Sequence, residues 1–355
     1  MNASPPDALP RRDEDDARWS RQERFHAIGR TGQRRIRDGR VLVVGVGALG
    51  THVAELLARA GVGALWLVDR DVVELHNLQR QALFDEADAR DGTPKAIAAA
   101  RHLAAVASTV DVIPFVADYD ADVHAALPGR PDIVVDGTDN FATRYRINDL
   151  AVRDGIPWVH GGVVGALGNA FVVLPGRTPC LRCWLPDAAP AGDLANCETV
   201  GVLAPAVTAV AGFQAMEVLK LLIGADTEVC TGAFTVDAWT HAHRVRMRDR
   251  RPDPTCETCG VHRYPALAEP PRRAVTLCGR DAVQIQPARR TTLDLVGLAA
   301  RLNGVATNVE CRPQLLRFAT EGVRFTVFGD GRTLLFGVPS PERARILFDR
   351  YVGAD

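Results

Sequence analysis

The chain has 355 residues, 47% of them hydrophobic, and a formal net charge of −1 at pH 7. That length suits one large domain with a smaller appendage, and that apolar content supports a substantial core. The even charge balance gives no bulk attraction to nucleic acid or to a membrane surface and argues against partners of either kind.

Residues 1–17 are polar and contain the run Asp13-Glu14-Asp15-Asp16. They lack the apolar core of a signal peptide and are expected to be disordered, which points to the cytoplasm. Residues 18–38 read as short helices. Strand-like runs follow at Val41–Gly45, Ala64–Asp69, Asp111–Phe115, Ile133–Asp136 and Trp158–His160. Helical patterns separate them at Ala48–Ala60, Pro94–Ala107, Ala121–Leu127 and Phe141–Asp154. This alternation predicts an α/β fold: a Rossmann-like, mostly parallel sheet with helices on both faces. Antiparallel strands are expected at Gly168–Leu174, Val229–Trp239 and His243–Arg248. The apolar run near Val200–Ile223 contains Gln214, Glu217 and Lys220 with a helical period, so it reads as a buried helix and not a membrane span. The domain is expected to cover 18–261. Residues 262–274, proline-rich and charged, read as a linker. The tail, 275–355, reads as a small α+β module of order β–α–β–β–β–α, with helices at Leu293–Asn303 and Pro341–Tyr351 and a hairpin turning at Gly329-Asp330-Gly331. It carries no recognisable catalytic constellation.

The first strand ends in Gly45-x-Gly47-x-x-Gly50 and a helix follows. Glycines permit the tight turn and a close backbone approach, and the helix aims free N–H groups and its dipole at an anion. Asp69, at the end of the second strand, sits where an acidic residue binds ribose hydroxyls. That much suits NAD or FAD as well, and a dehydrogenase is the alternative at this point. The polar groups further along the chain favour a triphosphate. Arg80, Lys95 and Arg21 supply positive charge, and Asp139, just beyond the fourth strand, can hold a divalent cation. Asn140 can cap the helix that starts at Phe141. Of 42 basic residues only Lys95 and Lys220 are lysines. At Lys95, directly after Pro94 at a helix start, a compact ammonium between phosphate oxygens is the functional reading; Lys220 reads as an ordinary helix residue.

Two C-x-x-C pairs, Cys180/Cys183 and Cys256/Cys259, provide four thiolates for a closed tetrahedral Zn²⁺ site of structural type. A redox pair lacks its usual fold context here, and a disulfide framework suits secretion. Cys197 lies between a Gly/Ala/Pro-rich loop and the 200–223 helix. Near a helix N-terminus it is either an activated nucleophile or an ordinary loop cysteine. Cys230, Cys278 and Cys311 read as packing residues.

From Trp19 to Gly260 these motifs resemble the ThiF/MoeB/HesA adenylyltransferases, bacterial relatives of ubiquitin-activating enzymes. The resemblance rests on Ser20-Arg21-Gln22, the glycine turn, Asp69-Arg70-Asp71, Asn77-Leu78-Gln79-Arg80, Pro94-Lys95, Thr138-Asp139-Asn140, both cysteine pairs and Gly201–Leu222 with Gln214-Ala215-Met216-Glu217. It implies ATP- and Mg²⁺-dependent adenylation of the C-terminal Gly-Gly carboxylate of a small ubiquitin-like sulfur carrier, giving acyl-adenylate and pyrophosphate. ATP would be held by Gly45, Gly47, Ala48, Gly50, Asp69, Asp71, Asn77, Gln79, Arg80, Lys95, Asp139 and Asn140. Within that set Arg80 and Lys95 would bind phosphates, Asp69 ribose, and Asp139 Mg²⁺. Arg21 would reach the other subunit of a homodimer. Cys197 matches a crossover-loop cysteine that in some members bonds covalently to the carrier, and the sulfur donor would be a cysteine desulfurase or a separate rhodanese. Ala48 stands where many relatives have a third glycine, and the tail after about residue 275 is not expected to be the rhodanese domain fused to some relatives, having neither its length nor its loop cysteine. Two other functions compete: a tRNA-modifying ATP-dependent relative and a non-enzymatic nucleotide-binding scaffold.

Overall fold

The strands Arg40–Val44 (β1), Ala64–Val68 (β2), Asp111–Phe115 (β3), Ile133–Asp136 (β4) and Trp158–Val164 (β5) are short runs of mostly branched and aromatic residues. Such runs fit a sheet covered on both faces. Leu167–Val173 (β6), Ala233–Asp237 (β7) and Ala242–Arg246 (β8) complete the sheet. The structure, a computed structural model, describes residues 17–186, 200–247, 251–268, 274–277, 282–287 and 292–353. It divides into two compact units, 1–268 and 269–355.

In the first unit the strand order is β3-β2-β1-β4-β5-β6-β7-β8. β3, β2, β1, β4 and β5 run parallel, and β6, β7 and β8 add as antiparallel neighbours. The expected mixed sheet is therefore present. Alternation along β1 sends Val41 and Val43 to one face and Leu42 and Val44 to the other. The first face is covered by the helices Ala48–Ala60, Lys95–Val106 and Ala204–Ile223, through residues such as Val53, Leu103 and Val218. The second is covered by Phe141–Arg153 and Ala121–Ala125, through Ile147, Leu150 and Val123. Among the described residues Ala204–Ile223 is the one helix long and apolar enough to cross a bilayer. Here it packs in the sheet's core and buries Gln214 and Glu217 with its apolar face.

The strand order reverses between β1 and β4, which opens a crevice beyond their carboxyl ends. Gly45 lies there at φ +84°, and a Cβ on it would come 2.7 Å from the Gly137 carbonyl carbon. A Cβ on Gly50 would come 1.9 Å from the Gly45 oxygen. These two glycines serve backbone-to-backbone packing of the β1 and β4 turns.

Residues 262–268, part of the expected linker, fold onto this unit. Helix Pro265–Ala268 docks with the Ala266 amide donating to buried Asp149 (2.9 Å). The remainder, 269–273, lies outside the described residues. In the second unit, two strands, Ala274–Leu277 (β9) and Ala282–Ile285 (β10), precede the first helix where one was expected, and four strands stand between the two helices where three were expected. β9 and β10 have only 4 residues each, too short for a period to separate them in the sequence. With Thr307–Cys311 (β11), Leu315–Thr320 (β12), Val323–Phe328 (β13) and Thr333–Phe336 (β14) they form one antiparallel sheet of order β11-β12-β13-β14-β10-β9. The expected hairpin is β13–β14. Helices Leu295–Arg301 and Pro341–Tyr351, capped by Asp294 and Ser340, pack Leu298, Leu347 and Phe348 against Phe318, Phe325 and Leu335.

Candidate nucleotide site and zinc knuckle

The helix Ala48–Ala60 begins without a side-chain cap, so its first amides point outward unmasked. At Gly47 a Cβ would meet only Gln81 Nε2, at 3.8 Å, so the backbone is open to close approach. The segment 75–82 lies alongside this turn. The Ala82 amide donates to Thr51 Oγ1 (3.2 Å) in the first helical turn, and Gln79 Nε2 reaches the Val202 carbonyl (3.5 Å). Arg80, half-buried, donates to the His76 carbonyl (2.9 Å).

Two carboxylates connect the glycine turn to Lys95. Asp69 accepts from the Val46 amide (2.7 Å) and the Asp71 amide (2.7 Å). Asp71 in turn lies 3.3 Å from the Lys95 ammonium, whose side chain is only 6% exposed. Burial pushes the Asp69 carboxyl above its ordinary range and the Asp71 charge adds to this, against the pull of Lys95 and the two amides. Arg70 pairs with Asp118 (2.9 Å). Its guanidinium would be weakened by burial, but Asp118, Asp71 and Asp139 outweigh that and hold it firmly charged. Asp139 is exposed, and no hydrogen bond or ion pair among the described residues engages its carboxylate.

Three residues expected at the nucleotide already hold backbone. Besides Asp69, Asn77 accepts from the Glu74 amide (3.1 Å) in the turn Leu75–Asn77. Asn140 caps the Phe141–Arg153 helix by accepting from Thr143 (2.8 Å). Arg21 is not brought to this crevice within one chain. It sits on helix Ser20–Glu23 beside Trp19, whose ring packs against Gly61 at the far end of the Ala48–Ala60 helix. That helix of 13 residues is about 20 Å long. Cys197 and Cys278 lie outside the described residues. Of the other two packing cysteines, Cys230 is half-buried and Cys311, on β11, is exposed and so is no core residue.

A buried polar cluster behind the Asp139 loop was not foreseen. Asp136, fully buried at the end of β4, accepts from the Thr138 amide (2.9 Å) and hydroxyl (2.7 Å) and from His160 Nδ1 (2.8 Å). His160 Nε2 lies 3.0 Å from the Asn169 side-chain oxygen Oδ1. Arg144 Nε lies 3.2 Å from Asp136. Burial alone would raise the Asp136 pKa, but Arg144, His160 and Thr138 more than offset it and hold the carboxyl below its ordinary range. Gln214 donates to the Asp136 carbonyl (2.8 Å) and fills the space a Cβ on Gly161 would need. A carboxylate ending an apolar strand was the one available signal.

The four knuckle cysteines are free thiols with their sulfurs all within 4.8 Å of one another. Three of the separations are 4.0 Å (Cys180–Cys183), 3.6 Å (Cys180–Cys256) and 3.4 Å (Cys183–Cys259). A tetrahedral ion with Zn–S bonds of about 2.3 Å requires sulfurs about 3.8 Å apart, so the cluster fits zinc. Both knuckles are pinned to one helix. Asn148 accepts from the Leu181 amide (2.9 Å), and Asp149 accepts from Thr258 Oγ1 (2.8 Å). These neighbours were not foreseen; they lie on the same helix that Asn140 caps.

Residues 19–258 match the model of the ThiF family. The chain is 41% identical over 338 residues to the sulfur carrier protein ThiS adenylyltransferase of Bacillus subtilis, covering 95% of this chain and 99% of that protein. It is 39% identical over 244 residues to the SAMP-activating enzyme E1 of Haloferax volcanii, covering 68% of this chain and 88% of that one. Among solved structures, E. coli MccB with ATP superposes with a TM-score of 0.58 at 23% identity, over 68% of this chain and 74% of that chain, a likeness of fold. The Bacillus alignment takes in most of the C-terminal unit too, so that module is shared with this relative. With the family model matching well over half of the chain, including the crevice and three of the four knuckle cysteines, this chain belongs to the ThiF family.

Proposed function

We propose that this protein adenylates the C-terminal Gly-Gly carboxylate of a small ubiquitin-like sulfur carrier, using ATP and Mg²⁺ and releasing pyrophosphate. The observation that carries this reading is the crevice, where an uncapped helix start, the Asp71-paired Lys95 and the unengaged Asp139 gather at the carboxyl ends of β1, β2 and β4. The near full-length likeness to a ThiS adenylyltransferase supports a ThiS-type carrier over other sulfur carriers.

The first amides of Ala48–Ala60 receive phosphate oxygens, and the Gly47 backbone lets them come close. Lys95 and Arg80 lower the repulsion between the anionic carboxylate and the triphosphate. One carboxylate with phosphate oxygens is a donor set that suits magnesium, which would neutralise developing charge on the leaving pyrophosphate. A carboxylate oxygen of the carrier bonds to the α-phosphorus while the α–β bridging bond breaks. No general base is needed, since the attacking group is already ionised. Asp69 shapes the turn through Val46 and Asp71 and still has lone pairs for ribose. Arg21, about a helix length from its own crevice, serves the site of a second copy in a homodimer. Cys197 acts after adenylation: its thiolate attacks the carrier's acyl-adenylate carbonyl, forming a thioester as the bond to AMP breaks and AMP departs. The carrier's sulfur comes from a cysteine desulfurase or a separate rhodanese. The reaction takes place in the cytoplasm.

The test is ATP–pyrophosphate exchange with and without a ThiS-type protein ending in Gly-Gly. Carrier-dependent exchange is expected in the wild type and in Cys197→Ala, and none in Asp139→Ala. Absence of exchange with any Gly-Gly carrier of the same genome would overturn the reading.

A further inference from the structure

The loop from Asp136 to Phe141 is held at every position but one. The Gly137 amide donates to the Val44 carbonyl (2.8 Å), and a Cβ there would sit 2.3 Å from the Gly45 oxygen. Thr138 is bonded to Asp136 by both amide and hydroxyl, and Asn140 is fixed as the helix cap. Of the loop's polar side chains only that of Asp139 takes part in no hydrogen bond or ion pair, its charge acting on Arg70 from a longer range. Behind the loop stands Arg144, one turn into the helix and nearly buried. Its Nη2 donates to the Thr138 carbonyl (2.7 Å) and to the Gly161 carbonyl of β5 (3.2 Å), while its Nε faces Asp136 (3.2 Å). The ring of Phe141 covers the guanidinium at 5.2 Å.

We propose that Arg144 is a positioning residue: its planar fork ties the Thr138 carbonyl to β5 and to Asp136, and so presents the Asp139 carboxylate to the metal of the nucleotide complex. The inference rests on the reading of Asp139 as the magnesium carboxylate. The argument is one of preorganisation. A single carboxylate on an otherwise anchored backbone pays little ordering entropy when it meets a cation, and loosening its support loosens the metal. Lysine at this position keeps the charge opposite Asp136 but, as a point donor on a flexible stem, cannot hold Thr138, Gly161 and Asp136 in one plane. His160 and Asn169 complete the support from the far side of Asp136.

The experiment measures Mn²⁺ binding by electron paramagnetic resonance on the full-length protein with a non-hydrolysable ATP analogue and no carrier. Affinity for the analogue without metal and the melting temperature are measured alongside. Arg144→Lys is expected to weaken Mn²⁺ about tenfold, and Thr138→Val, which removes one anchor without touching the charge, about threefold, both with metal-free analogue binding unchanged within about twofold. Asp139→Asn should weaken Mn²⁺ at least as much as Arg144→Lys. Unchanged Mn²⁺ affinity in folded Arg144→Lys, beside a weakened Asp139→Asn, overturns this inference and leaves the Asp139 reading standing. So does an equal loss of metal and metal-free analogue. Unchanged Mn²⁺ affinity in Asp139→Asn overturns both. If Arg144→Lys does not fold, Arg144→Gln decides, since a single side-chain amide cannot hold Thr138, Gly161 and Asp136 together: unchanged Mn²⁺ affinity there rejects the proposal.

Discussion

The Lys95 ammonium lies 3.3 Å from the Asp71 carboxylate, and the Lys95 amide donates to the Asp71 carbonyl (2.8 Å). Backbone and side chain thus fix the start of the Lys95–Val106 helix against the strand-end carboxylates. The same amide network runs through Asp69 to the glycine turn, so the one buried lysine is held in register with the phosphate-facing amides.

Lys95→Met should lower ATP–pyrophosphate exchange by roughly a hundredfold or more, as loss of a transition-state cation does. It should also cost about 1–3 kcal/mol of stability, because Asp71 keeps its charge without this partner. Lys95→Arg should rescue stability better than activity, since a fork does not fit a slot built for a compact ammonium. Exchange within about twofold of wild type in Lys95→Arg would remove the requirement for lysine.

The two glycines of the turn should behave in opposite ways. Gly50→Ala places a Cβ 1.9 Å from the Gly45 oxygen, so the turn must move, at a cost of about 3 kcal/mol or more in urea unfolding. Gly47→Ala meets only Gln81 Nε2 at 3.8 Å and should change stability by less than about 1 kcal/mol while weakening nucleotide binding. Unimpaired binding by Gly47→Ala would place the phosphates elsewhere.

One zinc per chain is expected by elemental analysis, and Cys183→Ser should lose it. Because the metal joins 180–183 to 256–259, its removal should lower the melting temperature by about 5 °C or more and speed proteolysis within 251–268. A zinc-free protein with an unchanged melting curve would reject the structural role.

Stability should fall on acidification below pH 6.5. Burial holds His160 below the ordinary 6.5, with Arg144 opposing protonation and Asp136 favouring it. Burial also lowers His124, which Asp154 and Tyr119 contact. The unfolded chain therefore binds protons that the folded chain refuses, and each histidine contributes up to about 1.4 kcal/mol per pH unit in that window. Asp136, held below 3.8, adds a loss of the same sign as pH falls through 3.8 towards its folded value. Melting temperatures from pH 7 to 5 should drop less steeply in His124→Gln. A pH-independent melting temperature in the wild type would contradict the sign.

Much of the site was legible because its elements are local. A strand followed by Gly45-x-Gly47-x-x-Gly50 is a turn and helix start by sequence alone, and Asn140 was readable as a cap from its place before Phe141. The Asp136–His160–Arg144 cluster was not legible. His160 and Asn169 stand on neighbouring antiparallel strands, and which residues face each other across β5 and β6 is set by register. The short strands of the C-terminal unit were missed in part for want of length, since 4 residues carry too little pattern.

The order of the parallel strands and helices of the first unit, the glycine turn and the four metal-type cysteines were determined by the chain's own local pattern, because backbone propensity and side-chain period act over a few residues. Tertiary structure alone decided that Cys183 meets Cys259, that Asp71 neutralises Lys95, and that Arg144 braces the loop of Asp139. Those relations join distant segments through burial, where a charge or thiol must find its partner or be destabilised, and no local period encodes which partner that is.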